Sequence, residues 1–307
     1  MFRTLFREVA SFATCILMSA TASAADIHLD PSVAAGMGAV LEGKIEFGDF
    51  DKFKKFVIEN EKVVEIYLAS PGGNLNEALK IGVLTRMLRL STVVPSKTLT
   101  AHARELAVAQ HDLGQSKANY MCSSACFFVF VAGINRKSDG LGSAIIGIHR
   151  PVLSDKDRKT LDYDQVAMAA DQIRSTVVKY LTIMDAPVRY AAEMFAVPSG
   201  RIRWIRNDEF DADLRGFIPE LRDKLNAKCA THTNLENRSN LEGLGTITAK
   251  PSSGGIEGEM PLKHSQILLD CERDFEVEMA LHARQEFVKS WSSQSTPPAH
   301  KGTPPSH

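Results

Sequence analysis

No uncharged apolar run in this 307-residue chain reaches the roughly 18 residues that a membrane span needs. A basic excess is also missing. The 36 Lys and Arg residues meet 37 Asp and Glu residues, and a formal net charge of -1 argues against a phosphate-reading surface, so no nucleic-acid partner is expected. No His or second Cys pair stands at zinc spacing, so no metal site is read and no cofactor is expected. There is no internal repeat. What remains is a chain 44% apolar and 24% charged, the profile of an ordinary globular protein with room for one large domain or two small ones.

The first 24 residues read as an address rather than as fold. Arg3 and Arg7 give a positive start, Val9 to Met18 is a short apolar stretch, and Ala22-Ser23-Ala24 has the small residues of a signal-peptidase site. The expected destination is the periplasm or the medium of a bacterium. The alternative is a short N-terminal helix of the folded domain. A lipoprotein anchor at Cys15 fits less well, because Phe12-Ala13-Thr14 lacks the usual upstream Leu. Removing the leader leaves Cys122, Cys126, Cys229 and Cys271 in a compartment that permits disulfides. Three pairings are open, and Cys229 with Cys271 is preferred. Cys122 and Cys126 are read as small buried residues. A disulfide between them would bracket Ser124 and could reshape its turn, and the compartment permits it, but it is disfavoured because a four-residue separation running into a helix gives poor disulfide geometry.

Residues 41–69 read as strand, helix, strand. The second strand, Val63 to Ala69, is apolar enough to be buried on both faces, as in a parallel sheet. Ser70-Pro71-Gly72-Gly73-Asn74 breaks the chain. A helix follows with Leu75, Ala78, Leu79, Gly82, Val83 and Met87 on one side, then a short strand, Ser91 to Val94, stopped by Pro95. Residues 97–119 form a modest amphipathic helix. Tyr120 to Gly133 is compact and apolar, and the strand Ala144 to Ile148 ends at His149. Residues 160–184 give an amphipathic helix with Val166, Ala169, Ala170, Ile173, Val177, Leu181 and Met184 at helical spacing. Asp185-Ala186-Pro187 ends it, and Trp204 to Ile218 reads as a last helix and strand. The alternation is that of an α/β fold with covered parallel strands. After Cys229 the composition turns polar over 230–262, residues 264–289 read as helical, and a tail from Ser290 with four of the 13 prolines is expected to be disordered.

Three pieces could carry acyl-transfer chemistry: Ser70-Pro71-Gly72-Gly73, Ser123-Ser124-Ala125 and His149. That chemistry needs a nucleophile, a base for its proton and amide donors for the oxyanion. A Gly-Gly pair after a strand offers a backbone N–H with no side chain in the way. A Ser at a strand-to-helix turn sits where the following amide, that of Ala125, can face a substrate. A His ending a neighbouring strand can serve as base. Each piece alone is equally a tight turn, a packing residue or a core histidine.

Taken in order, Ile66-Tyr67-Leu68-Ala69-Ser70-Pro71-Gly72-Gly73, then Ser124-Ala125 with Ala132-Gly133, then Ile146-Gly147-Ile148-His149-Arg150-Pro151 resemble the ClpP/crotonase superfamily. The likeness is greater to the proteolytic subunit of Clp protease and its secreted relatives, and it covers roughly residues 40–220. It implies a spiral of βαβ units with a C-terminal helical extension added here. It makes Ser124 the nucleophile and His149 the general base, with the Gly73 and Ala125 N–H groups as the oxyanion hole. Residues 150–187 would hold the helix that mediates ring stacking in that family, so a homo-oligomer is expected. The domain reading is a leader at 1–24, a ClpP-like domain at 25–228, a linker and helical extension at 229–289, and a tail at 290–307.

Three departures from the family stand out. Its triad Asp has no counterpart: the matching place holds Ile202, with Ser199 the nearest polar residue upstream, and Asp208 and Glu209 match other positions. Residues 97–119 are extra, and read either as a lid or substrate-selecting wall or as a solvated surface helix. The extension after Cys229 has no counterpart either. The expected function is a serine hydrolase acting on a peptide or protein substrate. One alternative is a catalytically impaired ClpP-like binding or scaffold protein. Another, disfavoured, is a crotonase-type acyl-CoA enzyme, since crotonases rely on Glu and CoA is not expected outside the cytoplasm.

Overall fold

The computed structural model describes residues 24–33, 36–97, 100–114, 119–140, 142–152, 159–198, 200–229 and 259–294. The expected leader up to residue 23, most of the polar linker, the end of the tail and Ser199 lie outside them.

The main sheet is built on continuous apolar strands. β2 (Gly38–Glu42), β3 (Glu65–Ala69), β4 (Ser91–Val94) and β6 (Asn135–Ser138) run parallel in that order. β1 (Asp26–Leu29) closes one edge antiparallel to β2, and β9 (Gly216–Phe217) closes the other antiparallel to β6. Ile66, Leu68, Val40 and Leu41 are buried, as strands covered on both faces require. A second, three-stranded sheet holds β5 (Cys122–Ser123) and β7 (Ile146–Ile148) in parallel, with β8 (Arg203–Trp204) antiparallel to β7. A parallel bridge between Ser70 and Cys122 joins the end of β3 to β5. The class is therefore mixed α/β, with parallel centres and antiparallel edges.

Helices α1 (Asp49–Glu59), α2 (Leu75–Met87) and α4 (Cys126–Val131) cover the sheets. All six residues of α4 are buried, Phe127, Phe128 and Phe130 among them, so this short helix is the centre of the core. Each such side chain is worth about 1.5–3 kcal/mol of transfer from water. α2 buries Ala78, Ile81, Gly82, Leu84 and Thr85 and leaves Val83 and Met87 outside. That is a correction to the expected face. The reason lies at Gly82, where an added Cβ would stand 1.8 Å from the Tyr180 hydroxyl and 3.0 Å from the Phe128 carbonyl oxygen, so the close approach to the core sets the rotation of the helix.

The long amphipathic helix is α5 (Tyr163–Ile183), opened by a capping box between Asp162 and Gln165. Only its second half is anchored, through Val177, Tyr180 and Leu181, while Tyr163 is 87% and Met168 72% exposed. α6 (Arg189–Ala196) follows. The expected last helix and strand resolve into β8, a helical turn at Asn207–Glu209, a π-turn at Phe210–Leu214 and β9. A further helix, α7, covers residues 219–229.

α8 runs from Glu259 to Gln294, longer at both ends than the expected 264–289. It lies against the body. Phe275 joins Ile134, Phe217, Ile218, Leu221 and Leu225 in a second buried cluster, and the Cys229–Cys271 disulfide ties α7 to α8 as the preferred pairing anticipates. Glu276 accepts hydrogen bonds from Ser91 Oγ at 3.0 Å, from Asn135 Nδ2 and from Lys137 Nζ. Arg284 donates to the carbonyls of Val57 and Val63.

Candidate active site

The parallel strands β3, β5 and β7 deliver the site. Gly73, Ser124, Ala125 and His149 all lie just past their C-terminal ends, and all four line one cleft of about 660 Å³. The four residues singled out from sequence are thus brought together.

Ser124 is one of few non-glycine residues with a positive φ, 55°. A left-handed L-residue costs about 1–2 kcal/mol, so the surroundings must hold it. They do so from several sides. Cys122 N–H donates to the Ile145 carbonyl at 2.9 Å, Ser123 N–H to Ser70 at 3.0 Å and Ser124 N–H to Gly147 at 2.9 Å. Ser123 Oγ donates to the Pro71 carbonyl at 3.0 Å. Cys122 and Cys126 are joined by a disulfide across the turn, with Cα atoms 5.3 Å apart. This is the pairing that the sequence disfavoured, and it corrects the reading of both as unpaired packing residues. Cys122 belongs to β5 and not to the helix, and the reversal at Ser124 folds the strand end back over the first residue of α4.

Two amides of the cleft are left without a backbone acceptor: among the described residues neither Gly73 N–H nor Ala125 N–H donates to a backbone carbonyl. The glycines before the site are demanded by contact. A Cβ on Gly72 would lie 2.5 Å from the Ser123 carbonyl oxygen and 2.7 Å from Ala125 N, and one on Gly73 2.1 Å from the Ile45 carbonyl oxygen. Ile45 clamps this loop through its N–H to Gly72 O at 2.8 Å and its carbonyl to Asn74 N–H at 2.7 Å.

His149 is half-buried, and its Nδ1 stands 3.0 Å from the Arg150 carbonyl oxygen. A carbonyl only accepts, so Nδ1 carries a proton, and in the neutral imidazole this leaves the lone pair on Nε2, where a base needs it. Arg150 is itself fixed, through its N–H to Val197 O at 3.2 Å and its Nε to Phe195 O at 2.9 Å. Among the described residues no carboxylate contacts His149. At the place of the family acid, a methyl of Ile202 packs beside Gly147. Asp208 pairs with Arg206, and Glu209 with Arg203. The Ser124 hydroxyl makes no hydrogen bond to any described residue.

The rest of the lining was not legible. Leu75, Phe128, Val152 and Ile173 give the cleft apolar walls, Phe47 stands at its edge 89% exposed, and Lys44 pairs with Glu46 at 3.1 Å. A large apolar residue in a turn, Phe47 before Gly48, is the one sequence signal that pointed there. The extra segment yields α3 (Ala101–Gln110), which does not line the cleft. Ala107 and Val108 lie against Tyr67, Leu113 and Tyr120. His111 stacks on Tyr67 at 3.8 Å and meets Asp30 Oδ2 at 2.8 Å. Helix α3 is a surface helix over β2–β4 and does not itself wall the cleft.

Among the described residues no group of three His, Cys, Asp or Glu side chains could hold a metal, and no helix is long and apolar enough to cross a membrane. No family model matches the chain. No curated protein matches it either. Among solved structures it is similar to the membrane-bound stomatin-specific protease 1510-N, solved as a point mutant, at 13% identity and a TM-score of 0.34, over 54% of this chain and 70% of that one.

Proposed function

We propose that this chain is a secreted ClpP-like serine hydrolase that cleaves peptide bonds through an acyl-enzyme at Ser124. The observation that carries the reading is the convergence, in one cleft, of a left-handed serine, two amides that donate to no backbone carbonyl and a histidine whose Nε2 makes no hydrogen bond among the described residues. Ser124 Oγ attacks the substrate carbonyl as His149 Nε2 takes its proton. The Gly73 and Ala125 amides stabilise the oxyanion, the amine leaves with the proton held on His149, and water repeats the sequence to release the acid. The carbonyl of Arg150 fixes the imidazole tautomer, a task that falls to the Asp in a Ser-His-Asp triad. Ser124 and His149 come within hydrogen-bond distance when substrate is seated, as catalytic pairs that are apart in unliganded sites do. The two disulfides and the leader-like N-terminus support an oxidising, extracytoplasmic location. The exposed first half of α5 supports self-association, read by sedimentation of the purified chain.

A fluorophosphonate probe tests the reading. Wild type is expected to label and Ser124→Ala not to label; an unlabelled wild type, or equal labelling of both, overturns it. The second reading, a non-catalytic ClpP-like binding protein, is favoured by the missing carboxylate at His149, and the same experiment separates the two.

A further inference from the structure

We propose that the Cys122–Cys126 disulfide is a positioning clasp for Ser124, holding the turn in the left-handed conformation from which the Ser124 hydroxyl and the Ala125 amide both serve the cleft. The inference rests on the reading of Ser124 as nucleophile. Hydrogen bonds secure the strand side of the turn, at Cys122, Ser123 and Ser124. On the helix side the carbonyls of Ser124 and Ala125 accept from the Phe127 and Phe128 N–H groups at 3.1 Å, while the Ala125 amide, assigned to the oxyanion, donates to no backbone carbonyl among the described residues. The disulfide links the two sides across the turn, from the end of β5 to the first residue of α4. Both cysteines are fully buried, so the clasp is part of the core and not a surface staple. It closes a ring of backbone around Ser123, Ser124 and Ala125, the residues whose dihedral angles aim the nucleophile and one oxyanion donor. A left-handed serine released from the ring has the extended and right-handed helical regions open to it, and either one moves Oγ and the Ala125 N–H together. The cost falls mainly on the chemical step and less on substrate binding, because of the apolar walls only Phe128 follows the clasp in α4, while Leu75, Val152 and Ile173 belong to other segments.

The protein carries its own control, since Cys229–Cys271 ties α7 to α8 at the second apolar cluster. The test compares the Cys122→Ala/Cys126→Ala chain with the Cys229→Ala/Cys271→Ala chain. Readouts are the rate of fluorophosphonate labelling at Ser124, kcat and KM for p-nitrophenyl acetate, Tm, and amide exchange over residues 122–126. Loss of the clasp is expected to lower the labelling rate and kcat about 10- to 100-fold, the penalty of a misplacement on the order of 1 Å, with KM held within about twofold. Loss of the other bridge is expected to leave labelling at the wild-type rate. Wild-type kinetics without the clasp, or an equal fall in both chains, overturns the proposal. Should wild type itself fail to label, the hydrolase reading falls. The clasp is then decided by amide exchange alone: faster exchange over 122–126 in the Cys122→Ala/Cys126→Ala chain sustains it as the lock on the turn, and unchanged exchange overturns it.

Discussion

Replacing Gly73 by Ala sets a Cβ 2.1 Å from the carbonyl oxygen of Ile45, and backbone lies on both sides of that contact. The φ of 140° adds strain of its own. Relief requires the loop to move, and the loop carries the Gly73 amide proposed as an oxyanion donor. The Gly73→Ala chain is therefore expected to lose at least about 100-fold in the rate of Ser124 labelling. Gly200→Ala, where a Cβ meets nothing within 4 Å, is expected to label at the wild-type rate. At this scale the sequence displayed the glycines, the serine and the histidine, because those are the residue types that the proposed chemistry uses directly. It did not display the tautomer of His149, which depends on a backbone carbonyl that any residue at position 150 would supply. It led to the pairing of Cys122 with Cys126 being disfavoured, because that pairing turns on the single left-handed φ at Ser124 between them.

Among the elements, α3 depends on the hydrogen bond between His111, at its C-terminal end, and Asp30. Burial pushes the Asp30 carboxyl up, but hydrogen bonds from His111 and Ser32 outweigh it and hold the group below the ordinary carboxylate range. A carboxyl lowered on folding contributes stability that is present above its unfolded value, near 3.9, and is lost as pH falls through the lower folded value. Asp30→Asn is expected to destabilise the chain at pH 7 by about 1–2 kcal/mol, measured by urea unfolding, and to expose α3 to limited proteolysis. Below about pH 4 the difference between the two chains is expected to shrink. The strands β3 and β4 were legible because a continuous apolar run has few other uses. The face of α2 was not, because the contact that rotates it, Tyr180 on Gly82, comes from a helix nearly a hundred positions away. The placement of α3 was hidden for the same reason: Asp30 and His111 meet only after the sheet is assembled.

For the whole molecule, α8 acts as a strap. Its Glu276 is buried and satisfies groups on β4 and β6, and burial of Lys137, which alone would lower its pKa, is outweighed by Glu276 and Glu65, so the ammonium is held above its ordinary range. Glu276→Ala leaves those donors without their carboxylate and is expected to cost about 3–5 kcal/mol in urea unfolding. Breaking Cys229–Cys271 in the Cys229→Ala/Cys271→Ala chain is expected to cost about 2–4 kcal/mol by the same measure. The strap also decides what a protease can achieve. The two cysteines bracket residues 230–270, so a single cut at residues 230–258 divides the chain without releasing either piece. The fragments stay covalently joined until a reductant reaches the bridge, and Glu276 and Arg284 keep the severed helix seated. A nicked molecule of this design keeps its shape and its cleft, and the wound shows only when the sample is reduced.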